Sequence, residues 1–233
     1  MTKRKVKNAT DFLAELNADP DHVARRRAQE DVRLLRDAEV KTVTQPLLDQ
    51  LAATGYQAAS LEAVVSLYAP LPHPVVALLL EWLPKVKDTA VQEQIVRALG
   101  ASAVPFEGDA LVMLFRSTAS DALRYAIANT MAQAPVQGVG SWALQAVKNA
   151  DLGTSQQMLA LAVARHNPAT VANPVLVSLL GRMPGHAALA LAETGGQPEL
   201  AALEAGYART NGWERQEIGR AMSVIRRRLV ESR

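Results

Sequence analysis

Apolar residues recur every 32 positions along most of the chain, and they mark one helix in each repeat. We call a set of residues 32 positions apart a column. Three columns are Leu47, Leu79, Leu111, Ala143 and Val175; Leu48, Leu80, Val112, Leu144 and Leu176; and Leu51, Leu83, Phe115, Val147 and Leu179. Within one repeat these positions are spaced i, i+1 and i+4, which places them on one face of a helix. The pattern predicts five helices, each with a buried stripe.

Two further apolar columns predict a second helix in each repeat. They are Ala63, Ile95, Ile127, Leu159 and Leu191, and Leu67, Leu99, Met131, Val163 and Gly195. Between them runs a column of small residues, Ser66, Ala98, Thr130, Ala162 and Thr194, which would let helices approach closely. One helix pair cannot bury both stripes, whereas stacked pairs can. We therefore expect a stack of antiparallel helix pairs, with a non-repetitive helical bundle rich in Ala and Leu as the alternative.

The repeat fails at both ends of the chain, which defines the predicted domain organisation. Residues 1–44 form an N-terminal helical cap, 45–195 hold the repeats, and 196–233 form a C-terminal helix pair. All three parts belong to one continuous domain in this interpretation. Atypical ends are expected, because terminal repeats need a polar outer face.

Capping and turn residues predict where the helices begin and where they are interrupted. Asp19 before Pro20 fits an N-cap followed by proline at the first helical position. Three pairs have the spacing of a capping box: Thr89 with Gln92, Thr154 with Gln157, and Asn211 with Glu214. Turns are predicted at Gly, Pro and Asn clusters, among them Asn173-Pro174.

Helix pairs at a 32-residue spacing resemble the HEAT-like repeats of armadillo-type α-solenoids. The period is shorter than the usual ~40–47 residues. It is closer to the short HEAT-like repeats of many bacterial proteins, including phycobilisome lyases. The resemblance implies an all-α, right-handed solenoid over about residues 45–195. It indicates architecture more than function, because this fold hosts many tasks.

Composition narrows the possible classes of protein. The chain is 49% hydrophobic but only 4% aromatic, which favours helices over strands. It has no cysteine, so disulfides and thiolate chemistry are excluded. The longest apolar runs, Val75–Leu80 and Met158–Ala164, fall short of the ~20 residues of a membrane span. Basic residues near the N-terminus precede no apolar segment, so we expect a cytoplasmic protein without a secretory signal.

Enzymatic and metal-binding motifs are absent from the sequence. It has no glycine-rich phosphate loop, no nucleophile elbow and no His-Glu-x-x-His. The four histidines are His22, His73, His166 and His186, and none has a second ligand at helical spacing. We predict no catalytic residue, no metal and no cofactor.

Charge is nearly balanced, at +2, so a broad positive field is not expected. Arg25, Arg26 and Arg27 lie among acidic residues, which predicts local ion pairs. The cluster at 226–228 falls late in the last helix, where cations complement the helix C-terminus. A site for nucleic acid or an acidic partner is the alternative for both clusters.

In HEAT-like stacks the second helix of each pair lines the concave face, which commonly binds a partner. Non-core positions of the predicted second helices are Glu93, Arg97, Arg124, Tyr125, Asn129 and Gln157. Their mixed charge and single aromatic suit a protein or peptide better than a phosphate backbone. We expect a non-enzymatic scaffold, adaptor or inhibitor that binds another protein there. A lyase or chaperone for a cofactor-bearing protein shares this signature, and a solvated face without a ligand is the simplest alternative.

The alternative from another class is a DNA-binding repair protein resembling the HEAT-like alkylpurine DNA glycosylases. Those proteins use aromatic residues and an aspartate in a basic concave groove. Here Trp82 aligns with Leu114, and Trp142 aligns with Leu78, so packing explains both tryptophans more simply. No aspartate stands beside them in a matching arrangement, and no catalytic residue can be carried over.

Overall fold

The computed structural model describes residues 8–231, and this part of the chain is built almost entirely of α-helices. The thirteen helices are α1 (Ala9–Ala18), α2 (Pro20–Ala53), α3 (Leu61–Tyr68), α4 (His73–Trp82), α5 (Thr89–Leu99), α6 (Asp109–Ser117), α7 (Asp121–Gln133), α8 (Gly140–Ala146), α9 (Thr154–His166), α10 (Ala169–Leu179), α11 (Pro184–Thr194), α12 (Gln197–Arg209) and α13 (Gly212–Glu231). Strands β1 (Phe106–Glu107) and β2 (Val136–Gln137) and a 3-10 turn at Ala150–Leu152 complete the description. The all-helical prediction is confirmed.

The chain divides into two compact units, the first ending at Gln45 and the second beginning at Pro46. Helix α2 continues across this boundary, although the sequence suggests a new element near residue 45. Pro46 lies inside the helix, where it lacks the N–H that would bond the preceding turn. The predicted boundaries at 44 and 195 remain a prediction.

The first compact unit has no buried side chain among its described residues before Thr44. Val32, Leu34 and Leu35 are 67%, 55% and 68% exposed, although they are apolar. Local ion pairs of the predicted kind join Arg33 to Glu30 at 2.8 Å and Arg36 to Glu39 at 3.1 Å. Arg26 instead donates to the Asn17 side chain at 3.0 Å. Charged side chains therefore dominate the surface of α2 in this unit.

The core of the second compact unit follows the predicted columns closely. Four members of the first column, Leu47, Leu79, Leu111 and Ala143, are fully buried, and so are four members of the Ile95 column. Some members of the columns are less buried than predicted. Leu67 is 64% exposed, and five others are only half-buried: Ala63, Leu80, Val112, Leu144 and Val175.

Neighbouring helices of the second compact unit pack in a regular order. The second helices contact one another in sequence: α3 with α5, α5 with α7, α7 with α9, α9 with α11, and α11 with α13. Five of them also contact the helix that precedes them in the chain: α5, α7, α9, α11 and α13. Between the pairs, β1 and β2 run parallel, with Phe106 opposite Val136. A parallel bridge likewise joins Leu71 to Ser102.

Several helix boundaries differ from those predicted. Asp88, rather than Thr89, caps α5, and its carboxylate accepts the N–H groups of Ala90 and Val91. Helix α9 begins after Gly153, without a side-chain cap from Thr154. Asp19 does accept the N–H of Asp21, as the Asp-Pro prediction requires.

The turn predicted at Asn173-Pro174 is wrong, because both residues lie inside α10. Asn173 is buried, and its side chain accepts the Thr194 hydroxyl at 2.7 Å and donates to the Thr194 carbonyl at 3.3 Å. The buried residues Ala172 and Leu176 flank it on the same helix. Tertiary packing therefore outweighs the local tendency of Asn-Pro to end a helix.

No helix between residues 8 and 231 is both long and apolar enough to cross a membrane.

Candidate functional site

The last turns of three pairs of second helices, α5 with α7, α7 with α9, and α11 with α13, are joined by side chains that reach back from the later helix to the earlier one. The buried Thr130 of α7 donates its hydroxyl to the Val96 carbonyl of α5 at 2.7 Å. Arg165 of α9 donates to the Gln133 carbonyl of α7 at 2.6 Å. A helix leaves its last four carbonyls without intrahelical partners, and these side chains satisfy some of them. We call these contacts the carbonyl ladder.

The same relation continues toward the C-terminus. His166 of α9 donates its Nε2–H to the Met131 carbonyl at 2.6 Å. Arg228 of α13 donates to the carbonyls of Gly195, at 3.0 Å, and Ala192, at the end of α11. Partners in the carbonyl ladder are 32–36 residues apart, close to the sequence period. The ladder therefore aligns the C-terminal ends of these helices.

Three of these second helices keep a narrow line of positions in contact with solvent. We call this line the outward strip; its members, all half-buried or exposed, are Glu93, Arg97, Tyr125, Asn129, Gln133, Gln157, Leu161 and Arg165. Other positions of α7 and α9 are mostly buried, including Ala126, Met131, Leu159 and Val163. Five of the six predicted site residues belong to this strip.

Side chains on the strip are partly engaged with one another. Arg97 donates to Glu93 Oε1 through Nε at 2.9 Å and through Nη2 at 2.7 Å. Gln133 donates to the Asn129 side chain at 2.9 Å. Within the described chain, Tyr125 and Gln157 have no side-chain hydrogen-bond partner. The strip therefore combines one ion pair with polar groups that have spare hydrogen-bonding capacity.

Arg124, the sixth predicted residue, has a different role. Its guanidinium donates to the Thr118 carbonyl at 2.6 Å and contacts the Asp121 carboxylate at 3.4 Å. The other members of its column do the same: Gln92 donates to Val86 at 2.8 Å, and Gln156 donates to Val147 at 2.6 Å. This column fastens α5, α7 and α9 each to the turn before it.

A groove between α3 and α5 adjoins the strip at Arg97. It has a volume of about 510 Å³, and its walls include Leu61, Val65, Gln94 and Ala98. Three members of the strip were missed by the sequence analysis: the exposed Gln133 and Arg165 and the half-buried Leu161. They extend the lines through Tyr125 and Gln157 by steps of four residues, so helical periodicity could have located them.

The basic cluster at 226–228 is divided among different partners. Arg226 pairs with Glu204 of α12 at 2.7 Å, and Arg227 lies 3.9 Å from Glu231. Arg228 donates to carbonyls at the end of α11. Cations at the end of α13 therefore take part in packing and helix capping.

The tryptophans occupy three separate packing sites. Trp82 donates to the Gln50 side chain at 2.8 Å, and Trp142 meets Phe115 edge to face at 5.1 Å. Trp213 lies 5.1 Å from His186, whose pKa is lowered by burial against the opposing influence of Glu214 and Glu217. Across residues 8–231, no group of three or more metal-ligating side chains could hold an ion.

No protein-family model, curated protein or solved structure matches this chain.

Proposed function

We propose that the helix pairs of the second compact unit stack as a HEAT-like solenoid that presents the outward strip on its concave face. The carbonyl ladder carries this proposal, because its partners recur at 32–36 residues. The parallel pairing of Phe106 with Val136 and of Leu71 with Ser102 adds contacts at nearly the same period. Equivalent backbone segments thus lie side by side, as stacking of repeats requires.

The chain then acts as a non-enzymatic scaffold, adaptor or inhibitor that binds a protein or peptide. The Glu93–Arg97 pair balances the charge on α5, while Tyr125 supplies a partly exposed aromatic with a free hydroxyl. Tyr and Arg often contribute most of the energy of protein interfaces. A phosphate backbone would favour cations on every successive helix, whereas the strip carries none on α7, where its members are Tyr125, Asn129 and Gln133. The proposal places the chain in the cytoplasm, with which the lack of cysteine agrees.

The test compares capture of partners by the wild type and by Arg97→Glu/Tyr125→Ala. We expect the double variant to retain helicity but to bind the captured protein at least about tenfold more weakly, since two central contacts are removed. Nuclease treatment should leave capture by the wild type unchanged. The tagged proteins are incubated with native lysate, and affinity for the captured protein is then measured.

A matched control is Arg215→Glu/Tyr207→Ala, which changes the same residue types outside the strip. There the Arg215 guanidinium lies 4.3 Å from the centre of the Tyr207 ring. Equal binding by wild type and strip variant would move the partner site elsewhere. Capture that is lost on nuclease treatment would favour the DNA-repair alternative.

A further inference from the structure

Cationic side chains recur where the first helices of three successive pairs end. Arg116 lies in the last turn of α6, Lys148 follows α8, and Arg182 follows α10. They are separated by 32 and 34 residues in the sequence, close to the repeat period. This edge is distinct from the outward strip, which lies on the second helices.

Two shallow cavities are lined by these cations. One, of about 390 Å³, is lined by Arg116 and Arg124 with Phe115, Trp142 and Asn149. The next, of about 330 Å³, is lined by Lys148 and Arg182 with Ser178. Lys148 of one cavity and Asn149 of the other are consecutive residues, and we call the residues that line the two cavities the cationic edge.

Structural roles account for only some of these charges. Arg124 is fastened to the Thr118 carbonyl, and Arg182 makes a long 3.5 Å contact with the Val147 carbonyl. Arg116 and Lys148 are exposed and have no hydrogen-bond or ion-pair partner within the described chain. A location near a helix C-terminus is favourable for a cation but does not satisfy its N–H donors.

Carboxylates and an aromatic wall limit what the cationic edge can bind. Asp151 lines the larger cavity, and Asp121 lies 3.4 Å from Arg124, so four cations face two acids. Phe115 and Trp142 meet edge to face at 5.1 Å, and Trp142 is partly exposed. The edge therefore offers a moderate positive charge beside an apolar surface.

We propose that the cationic edge binds an extended acidic peptide segment of the partner, with one bulky apolar side chain against Trp142. This inference rests on the proposed scaffold function and specifies the chemistry of its partner. Packed helices are about 8–10 Å apart. An extended peptide in the polyproline II conformation advances about 3.1 Å per residue and completes a turn every three residues, so side chains three residues apart lie on one face. Carboxylates three residues apart can therefore meet the cations of successive helix pairs. A nucleic acid would need a denser row of cations and several stacking platforms.

The test uses a fluorescein-labelled peptide with Glu at every third residue and one Leu. Fluorescence anisotropy should show saturable binding that weakens as salt is raised. We expect Arg116→Glu/Lys148→Glu to weaken binding at least about tenfold, because two attractions become repulsions. Replacing the peptide's Leu by Ser should weaken binding several-fold, and replacing its Glu residues by Lys should abolish it.

The control variant Arg209→Glu/Arg227→Glu makes the same change in net charge at two exposed sites on α12 and α13. Its affinity should equal that of the wild type, and circular dichroism should show all variants to be folded. The absence of saturable binding, or equal weakening by both double variants, would overturn the proposal. Binding of an oligothymidylate as tightly as the peptide, with the same dependence on Arg116 and Lys148, would also overturn it.

Failure here can be distinguished from failure of the proposed function. The capture experiment with Arg97→Glu/Tyr125→Ala leaves the cationic edge intact. If that variant loses the partner but the peptide does not bind, the scaffold proposal stands and only the peptide assignment fails. If the peptide binds but the strip variant keeps its partner, the strip proposal fails.

Discussion

Two buried hydroxyls on neighbouring helices have opposite hydrogen-bonding states, which allows a sharp test of the carbonyl ladder. Thr130 of α7 and Ser155 of α9 are each 1% exposed. Thr130 donates to the Val96 carbonyl at 2.7 Å, whereas the Ser155 hydroxyl has no partner among residues 8–231. Thr130→Val keeps the side-chain shape and removes the donor, and Ser155→Ala removes the unpartnered oxygen.

The two substitutions are expected to change the free energy of unfolding in opposite directions. An intramolecular hydrogen bond contributes about 1 kcal/mol net, and the Val96 carbonyl still accepts the Gly100 N–H at 3.2 Å. Thr130→Val should therefore lower the free energy of unfolding by about 1 kcal/mol. Burial of an unpartnered hydroxyl costs about 1–3 kcal/mol in proteins, and Ala is the better helix former. Ser155→Ala should raise the free energy of unfolding by about 1 kcal/mol.

Urea unfolding followed by circular dichroism at 222 nm measures both changes. The two variants should differ by about 2 kcal/mol, with unchanged dependence on urea concentration. In thermal unfolding, Thr130→Val should lower Tm by about 2–4 °C. A neutral Thr130→Val together with a destabilising Ser155→Ala would refute the hydrogen-bond assignment in both helices.

Two further predictions concern the core and the effect of pH. Leu79→Ala should lower the free energy of unfolding by about 2–5 kcal/mol, because Leu79 is fully buried. Leu67→Ala should change it little, because Leu67 is 64% exposed. Equal effects of the two substitutions in urea unfolding would contradict the core described here. Because burial lowers the pKa of His186 below 6.5, the unfolded chain binds the proton more readily, and stability should fall as pH drops through 6.5 toward that lowered value. His186→Gln should reduce the fall in Tm at low pH, whereas His73→Gln, at an exposed position, should leave that fall unchanged. If Tm of His186→Gln depends on pH as in the wild type, His186 is not the group responsible.

Most buried positions of the apolar columns could be predicted, because equivalent residues of successive repeats pack against equivalent neighbours. The prediction of burial failed where a helix lacks one of those neighbours. Leu67 shares its column with Leu99 and Met131, both fully buried. Met131 belongs to α7, which packs against both α5 and α9, whereas α3 packs against α5. The repeat period shows which positions of successive helices are equivalent, but it does not show whether each helix has a packed neighbour on both sides.

The candidate site was predictable in position but not in role. The column of Gln92, Arg124 and Gln156 reads as polar surface, although its long donors reach carbonyls of the preceding turns. Each accepting carbonyl lies six or nine residues before its donor, because the turns differ in length. Donor and acceptor therefore have no fixed spacing in the sequence. Arg116 and Lys148 do share a column of the 32-residue repeat, whereas Arg182 lies two positions beyond that column, so the repeat locates only the first two.

The most direct test of partner binding through the outward strip is hydrogen–deuterium exchange of the chain alone and with its captured protein. The proposal predicts added protection in α5, α7 and α9, centred on Arg97, Tyr125 and Gln157. Helix α4 should exchange equally in both states. Protection confined to helices outside the strip, with α5, α7 and α9 unchanged, would contradict the proposal.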